Sequence, residues 1–497
     1  MARVQREAQD YGLQSLWKSS RLPPRILRPT MALTGPLFQR VASCAVLVLA
    51  LLFATGAAAQ TGDITGTMPE DYLPELKAIL ETSFLRSPQV VAAEFERAVS
   101  EAKLDIANAS RLPNVNGNLS YAVNQTAISS NASSQTRDNG LFYSLGVTQA
   151  LFHWRALKNQ TDAARINLLV AQKSYDLAAR ELGTIVRKAY LSLIVEKARL
   201  RQVDDIIRVM RDDLAVVAEK RDRGTVSPAV YEGDKLRLRE VQLDVDRASA
   251  EFDANRLRFA RLVGMDALSG ASVPDQIPKP AFSPGLATAL SAALLRNGAK
   301  STLEWEIYDL RVREANLRHQ IERVRLYPKF FASAGFSLEN STNVNGNAVN
   351  QQGIQRRTVS VYAQWNIFDG FATRGAVREA LANKRVQERR LVIEAEGVLQ
   401  NVQILERSLR LDAEQLDLSE IRHSLALESK RRTAEEVGLG NQAKGDIDRA
   451  ENGVRQADAK SQESRAAFLG RWSEFVALAG ADPVLKSTFI RHVREQK

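Results

Sequence analysis

The sequence predicts a mainly α-helical protein that also carries membrane β-strands, arranged as two structural repeats. Three observations predict this class. Two pairs of segments alternate apolar and polar residues over roughly 10 positions, as a strand between lipid and water must. Very long stretches next to them hold apolar residues at seven-residue spacing, which is typical of coiled-coil packing. Both features recur about 216 residues apart.

The chain begins with a segment that we exclude from the fold. An apolar run over residues 41–59 follows Arg40 and ends in three alanines, which is the pattern of a signal peptide on an exported protein. We predict that residues 1–59 are this signal, that cleavage precedes Gln60, and that Met31 is the true start of an overlong reading frame.

Cysteine and charge content exclude several classes of protein. Cys44 is the only cysteine and lies at the start of the apolar run, so it is not an acylation site, and we expect no thiol chemistry in the mature chain. The formal net charge of +10 falls to +5 without residues 1–59, which hold seven basic and two acidic residues. Such a balanced charge argues against nucleic-acid binding.

The first repeat is expected over residues 60–268, with strands at about 114–124 and 141–152. Pro113 precedes the first strand, and a polar segment, residues 125–140, is expected to form a long loop between the two. The apolar residues that alternate with polar ones are Val115, Gly117, Leu119, Tyr121 and Val123, followed on the return strand by Tyr143, Leu145 and Val147.

The second repeat is expected over residues 301–480, with strands at about 329–339 and 358–368, and residues 481–497 form a C-terminal tail. A second polar loop is expected over residues 340–357. The return strand has the clearest alternation, with apolar Val359, Val361, Ala363, Trp365 and Ile367.

Aromatic residues cluster at the same end of both hairpins. Phe152 and Trp154 follow the first hairpin, and Trp365 and Phe368 close the second. A half-buried soluble hairpin also alternates, but matching aromatic clusters are typical of a membrane interface. We therefore predict that these four residues form an aromatic girdle at the base of a barrel.

Long helices follow each hairpin. Residues from about 153 to 223 and from about 372 to 437 contain no proline, and apolar residues recur in seven-residue rows. At 1.5 Å per residue, a helix of about 70 residues reaches on the order of 100 Å. Gly224 and Gly440 are predicted to form tip turns, where glycine supplies the positive φ of a helix end. A linker over residues 269–300 joins the two halves.

Four strands cannot close a barrel across a membrane, because a free edge in lipid leaves backbone groups unpaired. The chain must therefore oligomerise. A dimer would form an 8-stranded barrel, and side chains fill the interior of a barrel of that size. A trimer would form a 12-stranded barrel with room for a water-filled lumen. The polar strand faces favour the wider lumen.

Several short segments point to a known family. Leu112-Pro113 and Tyr327-Pro328 open the hairpins, residues 365–370 (sequence WNIFDG) close the second, and residues 438–442 (GLGNQ) form a glycine turn. In this order and spacing, over about residues 70–480, they resemble the TolC family of outer-membrane efflux proteins.

The resemblance implies a homotrimer, with a 12-stranded barrel in outer-membrane lipid that continues as a trimeric α-barrel through the periplasm. It also implies a duct in a tripartite efflux or type I secretion system, docked to a periplasmic adaptor (membrane fusion) protein and an inner-membrane RND or ABC transporter. No cofactor is implied.

The resemblance also suggests Asp446 as a constriction residue, with Asp448 two residues on. Three copies would form an acidic ring that attracts cations. Alternatively, both are ordinary helix-start acids that the helix dipole favours. Val230 occupies the position in the first repeat that corresponds to Asp446.

Two other classes of protein fit the sequence less well. A periplasmic coiled-coil adaptor or scaffold leaves the strands and aromatic clusters unexplained. An enzyme requires a site that the sequence does not offer, because the four histidines, at 153, 319, 423 and 492, show no metal-ligand spacing. We therefore expect no enzymatic activity, no nucleic-acid partner and no metal site.

Overall fold

The computed structural model describes residues 68–128, 134–281, 284–345, 348–441 and 443–483. The predicted signal peptide lies outside the described residues, as does most of the predicted tail. The helices are α1 (Pro69–Tyr72), α2 (Pro74–Arg86), α3 (Pro88–Ala109), α4 (Ala156–Asp222), α5 (Pro228–Val263), α6 (Pro284–Asn297), α7 (Leu303–Arg323), α8 (Ala372–Gly438) and α9 (Lys444–Leu478). The strands are β1 (Asn114–Ile128), β2 (Ser134–Phe152), β3 (Lys329–Asn345) and β4 (Ala348–Gln364).

The two long helices match each other in length and in their ends. Helices α4 and α8 have 67 residues each. Each begins after a residue with positive φ, Arg155 or Phe371, and is followed by a positive-φ glycine, Gly224 or Gly440. The next helices, α5 and α9, are followed by the positive-φ glycines Gly264 and Gly480. We call these positive-φ positions at the helix ends the joints of each repeat. The two members of each pair of joints are 216 residues apart, so the repeats correspond without insertion or deletion from the first joint to the last.

The helices pack side by side in a fixed order. In the half nearer the sheet, α4 contacts α3 on one side and α7 on the other, and α7 contacts α8. In the far half, α4 contacts α5 and α9, and α9 contacts α8. The layer therefore runs from α3 or α5 at one margin, through α4, to α8 at the other.

Short helices and connecting segments wrap the middle of this layer and form the main core. The core draws on α2, α3, α4, α5, α6, α8 and α9, and its largest fully buried side chains include Trp472, Tyr190, Phe468, Phe475, Leu76 and Ile277. Burying one such side chain stabilises the fold by about 1.5–3 kcal/mol. This core ties both chain ends to the long helices.

The sheet is antiparallel with the order β1-β2-β3-β4. Its hairpins are longer than the alternation predicts, because Ile128 still pairs with Ser134 and Asn345 with Ala348. The polar segments expected as long loops are thus mostly paired strand: the backbone ladder forms whatever the polarity of the side chains.

Strand β4 differs from prediction at its other end. It stops at Gln364 rather than near residue 368. The indole Nε1 of Trp365 donates a hydrogen bond to the carbonyl of Leu326, at 3.0 Å, and the chain then turns through Gly370 and Phe371, both at positive φ. A β-bulge between Ala150 and Phe152 marks the corresponding end of β2.

Candidate functional site

The register sorts the strand residues onto two faces of unlike chemistry. Cross-strand pairing aligns one face across all four strands: Val115, Leu119, Val147, Leu145, Tyr143, Ala334, Phe336, Leu338, Val359 and Val361. The opposite face carries small polar residues, chiefly Asn114, Asn116, Asn118, Ser144, Thr148, Ser333, Ser337, Thr358 and Ser360. Such a sheet fits lipid on the apolar face and water on the polar face.

Two of the predicted girdle residues come together at the base of the apolar face. The rings of Phe152 and Trp154 meet edge to face, with centroids 5.0 Å apart, and Trp154 also meets Tyr327 at 5.1 Å. Phe152 lies 6.4 Å from Phe330 on the neighbouring strand. We call Phe152, Trp154, Tyr327 and Phe330 the outer aromatic cluster.

The other two girdle residues, Trp365 and Phe368, lie beyond β4. The ring of Phe368 meets that of Phe371 at 5.4 Å, and both are exposed. Trp365 and Trp154 hold the same connector before β3, since their indoles donate to the carbonyls of Leu326 and Pro328 at 3.0 and 2.8 Å. Anchored indoles with exposed rings suit a membrane interface.

A second aromatic group lies on the polar face, and the sequence did not predict it. Phe331 and Tyr362 stack with centroids 5.4 Å apart and planes 18° apart, and His153 meets Phe331 edge-on at 4.9 Å. We call these three residues the inner aromatic cluster. The available signal was the interruption of polar alternation by Phe331 and Tyr362.

The predicted tip turns have the same geometry in both repeats. Gly224 and Gly440 have φ of +75° and +78°. The amide after each glycine bonds back five residues, Thr225 to Lys220 and Asn441 to Glu436, both at 2.9 Å. This is the Schellman ending of a helix, and it reverses the chain at the far end of the long helices.

The predicted constriction residues lie just beyond the second tip turn. Asp446 is partly exposed; its carboxylate accepts a hydrogen bond from the amide of Ala443 at 3.0 Å and pairs with Arg449. Asp448 is exposed. Within one chain, Asp446 therefore caps α9 and carries a cationic partner.

A buried ion-pair cluster joins the first and last described segments of the chain to α4. Arg187 is fully buried. Its guanidinium donates hydrogen bonds to both carboxylate oxygens of Asp482, at 2.8 and 3.2 Å, and to both of Glu70, at 2.9 and 2.6 Å. Burial lowers the pKa of Arg187, but the charges and hydrogen bonds of Asp482 and Glu70 raise it by more, so its net pKa is above the usual value. We call Arg187, Glu70 and Asp482 the arginine clasp.

The described residues offer little for catalysis or metal binding. Among them, no group of three or more His, Cys, Asp or Glu side chains is arranged to hold a metal ion. Within the same residues, no helix is both long and apolar enough to span a membrane.

Comparisons with known proteins support the resemblance to outer-membrane efflux proteins. The model of the outer membrane efflux protein family matches residues 79–265, which cover most of the first repeat. The match supports the resemblance of the first repeat to outer membrane efflux proteins. The second repeat corresponds to the matched one by the constant spacing of 216 residues between joints. A search of curated proteins gives no match.

Solved structures of efflux channels share the fold. The Campylobacter jejuni CmeC outer membrane channel is 12% identical with a TM-score of 0.68, and 88% of this chain covers 94% of that one. The Neisseria gonorrhoeae MtrE outer membrane channel in its open state is 14% identical with a TM-score of 0.62, and the alignment covers 82% of this chain and 89% of MtrE. The Vibrio cholerae outer membrane protein VceC is 15% identical with a TM-score of 0.59, and the alignment covers 84% of this chain and 98% of VceC. The predicted class of a mainly helical chain with a four-stranded sheet and two repeats is confirmed.

The family also decides between the functional hypotheses. Outer membrane efflux proteins are transport channels of the outer membrane that extend into the periplasm, and they are not enzymes. The channel hypothesis is therefore confirmed over the adaptor or scaffold hypothesis.

Proposed function

We propose that three copies of this outer-membrane channel protein close a 12-stranded barrel and continue it as a helical tunnel. The open sheet is the observation that carries the proposal. Among the described strands, β1 pairs with β2 alone and β4 with β3 alone, so both edges are free. Free edges are costly in lipid, and pairing β4 of one copy with β1 of the next removes them.

The helical layer supports the same closure. Four residues of α8 form a row at seven-residue spacing and are 51–64% exposed: Ile404, Leu411, Leu418 and Leu425. At the other margin, α3 and α5 expose Phe95, Val99, Ile106, Leu236, Leu243 and Leu257. Apolar rows on both margins fit α8 of one copy against α3 and α5 of the next, as coiled-coil packing requires.

We further propose that the duct serves a tripartite efflux system. Its partners would be a periplasmic adaptor protein and an inner-membrane RND or ABC transporter. Type I secretion is the alternative use of the same architecture. In this arrangement the repeats, residues 60–268 and 301–480, each contribute one hairpin and half of the tunnel helices. Residues 269–300 would link them.

The trimer is tested by mass measurement of the detergent-extracted protein with one surface altered. Leu411→Glu together with Leu418→Glu places charges in the α8 row and should yield monomers. Gln403→Glu is the control, because Gln403 is exposed and lies about 100° around the helix from Ile404. Wild type and control should be trimers that conduct ions in a planar bilayer. A monomeric wild type in the outer-membrane fraction would refute the closure.

The acidic ring at the tip stays a proposal. If Asp446 faces the tunnel axis, Asp446→Asn should lower the preference for cations in bilayer recordings, because three negative charges are lost. Arg449→Gln should raise that preference, since Arg449 pairs with Asp446. Unchanged selectivity in both variants would leave Asp446 as a helix cap.

A further inference from the structure

The inner aromatic cluster stands out from the face on which it lies. Most other described residues on the polar face are Asn, Ser, Thr or Gly, although Phe142 and Ile354 also lie on it, nearer its other end. Phe331 and Tyr362 are cross-strand neighbours on this face, and their rings stack. Water solvates large apolar rings poorly. If the proposed barrel forms, this face lines its lumen, and the stack meets whatever passes.

The surroundings of the stack suit a ligand with a flat ring. Tyr362 lies on the edge strand and is 44% exposed in the single chain, although Phe331 covers one side of its ring. The neighbour of Phe331 on β2 is Ala150, which has a small side chain. The hydroxyls of Ser333 and Ser360, 2.8 Å apart, follow on the same face.

The nearest charge on this face is positive. Lys329 lies two residues before Phe331 on the same side of β3 and opposite Gln364. The closest described carboxylate on the face is Glu339, eight residues farther along the strand than Phe331, or roughly 26 Å at about 3.3 Å per residue. An anionic group would therefore meet attraction from Lys329, with no described carboxylate close by on the same face.

The cluster also contains an unsatisfied polar atom. Nε2 of His153 is buried and makes no hydrogen bond to any described residue. The outer aromatic cluster, by comparison, has its indole hydrogen-bonded to the connector. A purely structural pair of rings would stabilise the sheet on either face, but it would not account for the exposed ring, the adjacent cation and the unpaired nitrogen together.

We propose that Tyr362, Phe331 and Lys329 form a binding site for planar aromatic anions on the luminal wall at the base of the barrel, one in each chain. The ring of the ligand stacks on Tyr362, and its acidic group pairs with Lys329. This inference rests on the proposed duct, because the polar face must line a lumen that solutes reach. It assigns a class of substrate to the channel.

The test uses 2-naphthalenesulfonate as the probe and the purified full-length protein in nanodiscs. Equilibrium dialysis measures binding, and bilayer recording measures block of the open-channel current. Tyr362→Leu should weaken binding and block at least fivefold, whereas Tyr362→Phe, which keeps the ring, should change them less than twofold. Lys329→Gln should weaken 2-naphthalenesulfonate but not neutral 2-naphthol. Phe330→Leu is the matched control, since Phe330 is adjacent but lies on the apolar face.

Each result decides one question. Equal effects of Tyr362→Leu and Phe330→Leu, or equal binding of non-planar cyclohexanesulfonate, would overturn the site. A conducting channel that neither binds nor is blocked by the probe would overturn the site and leave the duct intact. Binding that depends on Tyr362 in a protein that forms no pore would support the site and count against the duct.

Discussion

The arginine clasp gives a prediction whose magnitude follows from its burial. Arg187→Met removes the guanidinium from between two carboxylates, those of Asp482, 1% exposed, and Glu70, 10% exposed. Removing one partner of a buried ion pair costs about 3–5 kcal/mol, because the remaining charge stays desolvated. Here one arginine serves two carboxylates through four hydrogen bonds, so we expect the upper part of this range.

The effect should appear where the clasp holds the chain ends. The backbone amide of Leu73 donates a hydrogen bond to the carbonyl of Pro69, and that of Ala481 donates to the carbonyl of Val476, both at 3.0 Å. If the ends open locally before they exchange, a loss of about 3–5 kcal/mol speeds hydrogen exchange at these amides by about two to four orders of magnitude. Mass spectrometry of peptides that contain Leu73 and Ala481 measures this rate.

The neighbouring residue supplies the control. Lys188 pairs with Glu474 at 2.6 Å, but both side chains are about 40% exposed, at 44% and 39%. Surface pairs contribute about 0–1 kcal/mol, so Lys188→Met should change the exchange rate by less than about fivefold. Combining Arg187→Met with Glu70→Gln and Asp482→Asn should restore part of the protection, since no charge is then left buried.

The reasoning fails on a specific result. If Arg187→Met speeds exchange at Leu73 and Ala481 no more than Lys188→Met does, the clasp does not hold the ends. If the triple variant exchanges as fast as Arg187→Met, the lost packing of the arginine stem, rather than its charge, carries the effect.

Three further predictions concern stability. Gly264→Ala should lower the midpoint of thermal unfolding far more than Gly480→Ala. Both glycines have positive φ, which costs about 1–2 kcal/mol for alanine, but a Cβ at Gly264 would lie 2.3 Å from the carbonyl oxygen of Arg86, whereas one at Gly480 would meet nothing within 4 Å. Equal midpoints would refute the clash. Tyr190→Phe should stabilise by about 1 kcal/mol, because the buried hydroxyl makes no hydrogen bond to a described residue, and burial raises the pKa of Tyr190; a loss of stability in urea unfolding would mean that the hydroxyl has a partner in the assembly. Stability should fall as pH drops below about 4.5, since hydrogen bonds from Arg465 hold the pKa of Glu420 below its ordinary 4.5, so protonation favours the unfolded chain. Glu420→Gln should flatten this part of the pH profile, and an unchanged profile would assign the acid sensitivity to other groups.

The sequence predicted the elements that depend on local pattern. Period-two alternation gave the two faces of the sheet, and glycine spacing gave the turns at Gly224 and Gly440, because both signals act within a few residues. Strand ends were less accurate. Polar residues such as Asn343 pair as well as apolar ones, and the end at Gln364 depends on the bond from Trp365 to Leu326.

Features that join distant segments could not be predicted. Arg187 meets partners 117 and 295 residues away, and no spacing rule connects them. The inner aromatic cluster was missed for a different reason: Tyr362 fits a polar row by its hydroxyl, and only the register shows that it lies beside Phe331. Both groups of residues are brought together by contacts between segments that are far apart in the sequence, which residue type alone does not reveal.

The constant spacing between the joints of the two repeats limits how such a protein can change its length. One inserted residue in a long helix turns everything beyond it by about 100° and moves its apolar row off the neighbour, whereas seven inserted residues restore the row and add roughly 10 Å. The same seven must enter α4, α5, α8 and α9 together, or the tips at Gly224 and Gly440 would end at different depths. The length of the proposed tunnel can therefore change only in steps of about seven residues, and all four helices must change by the same step.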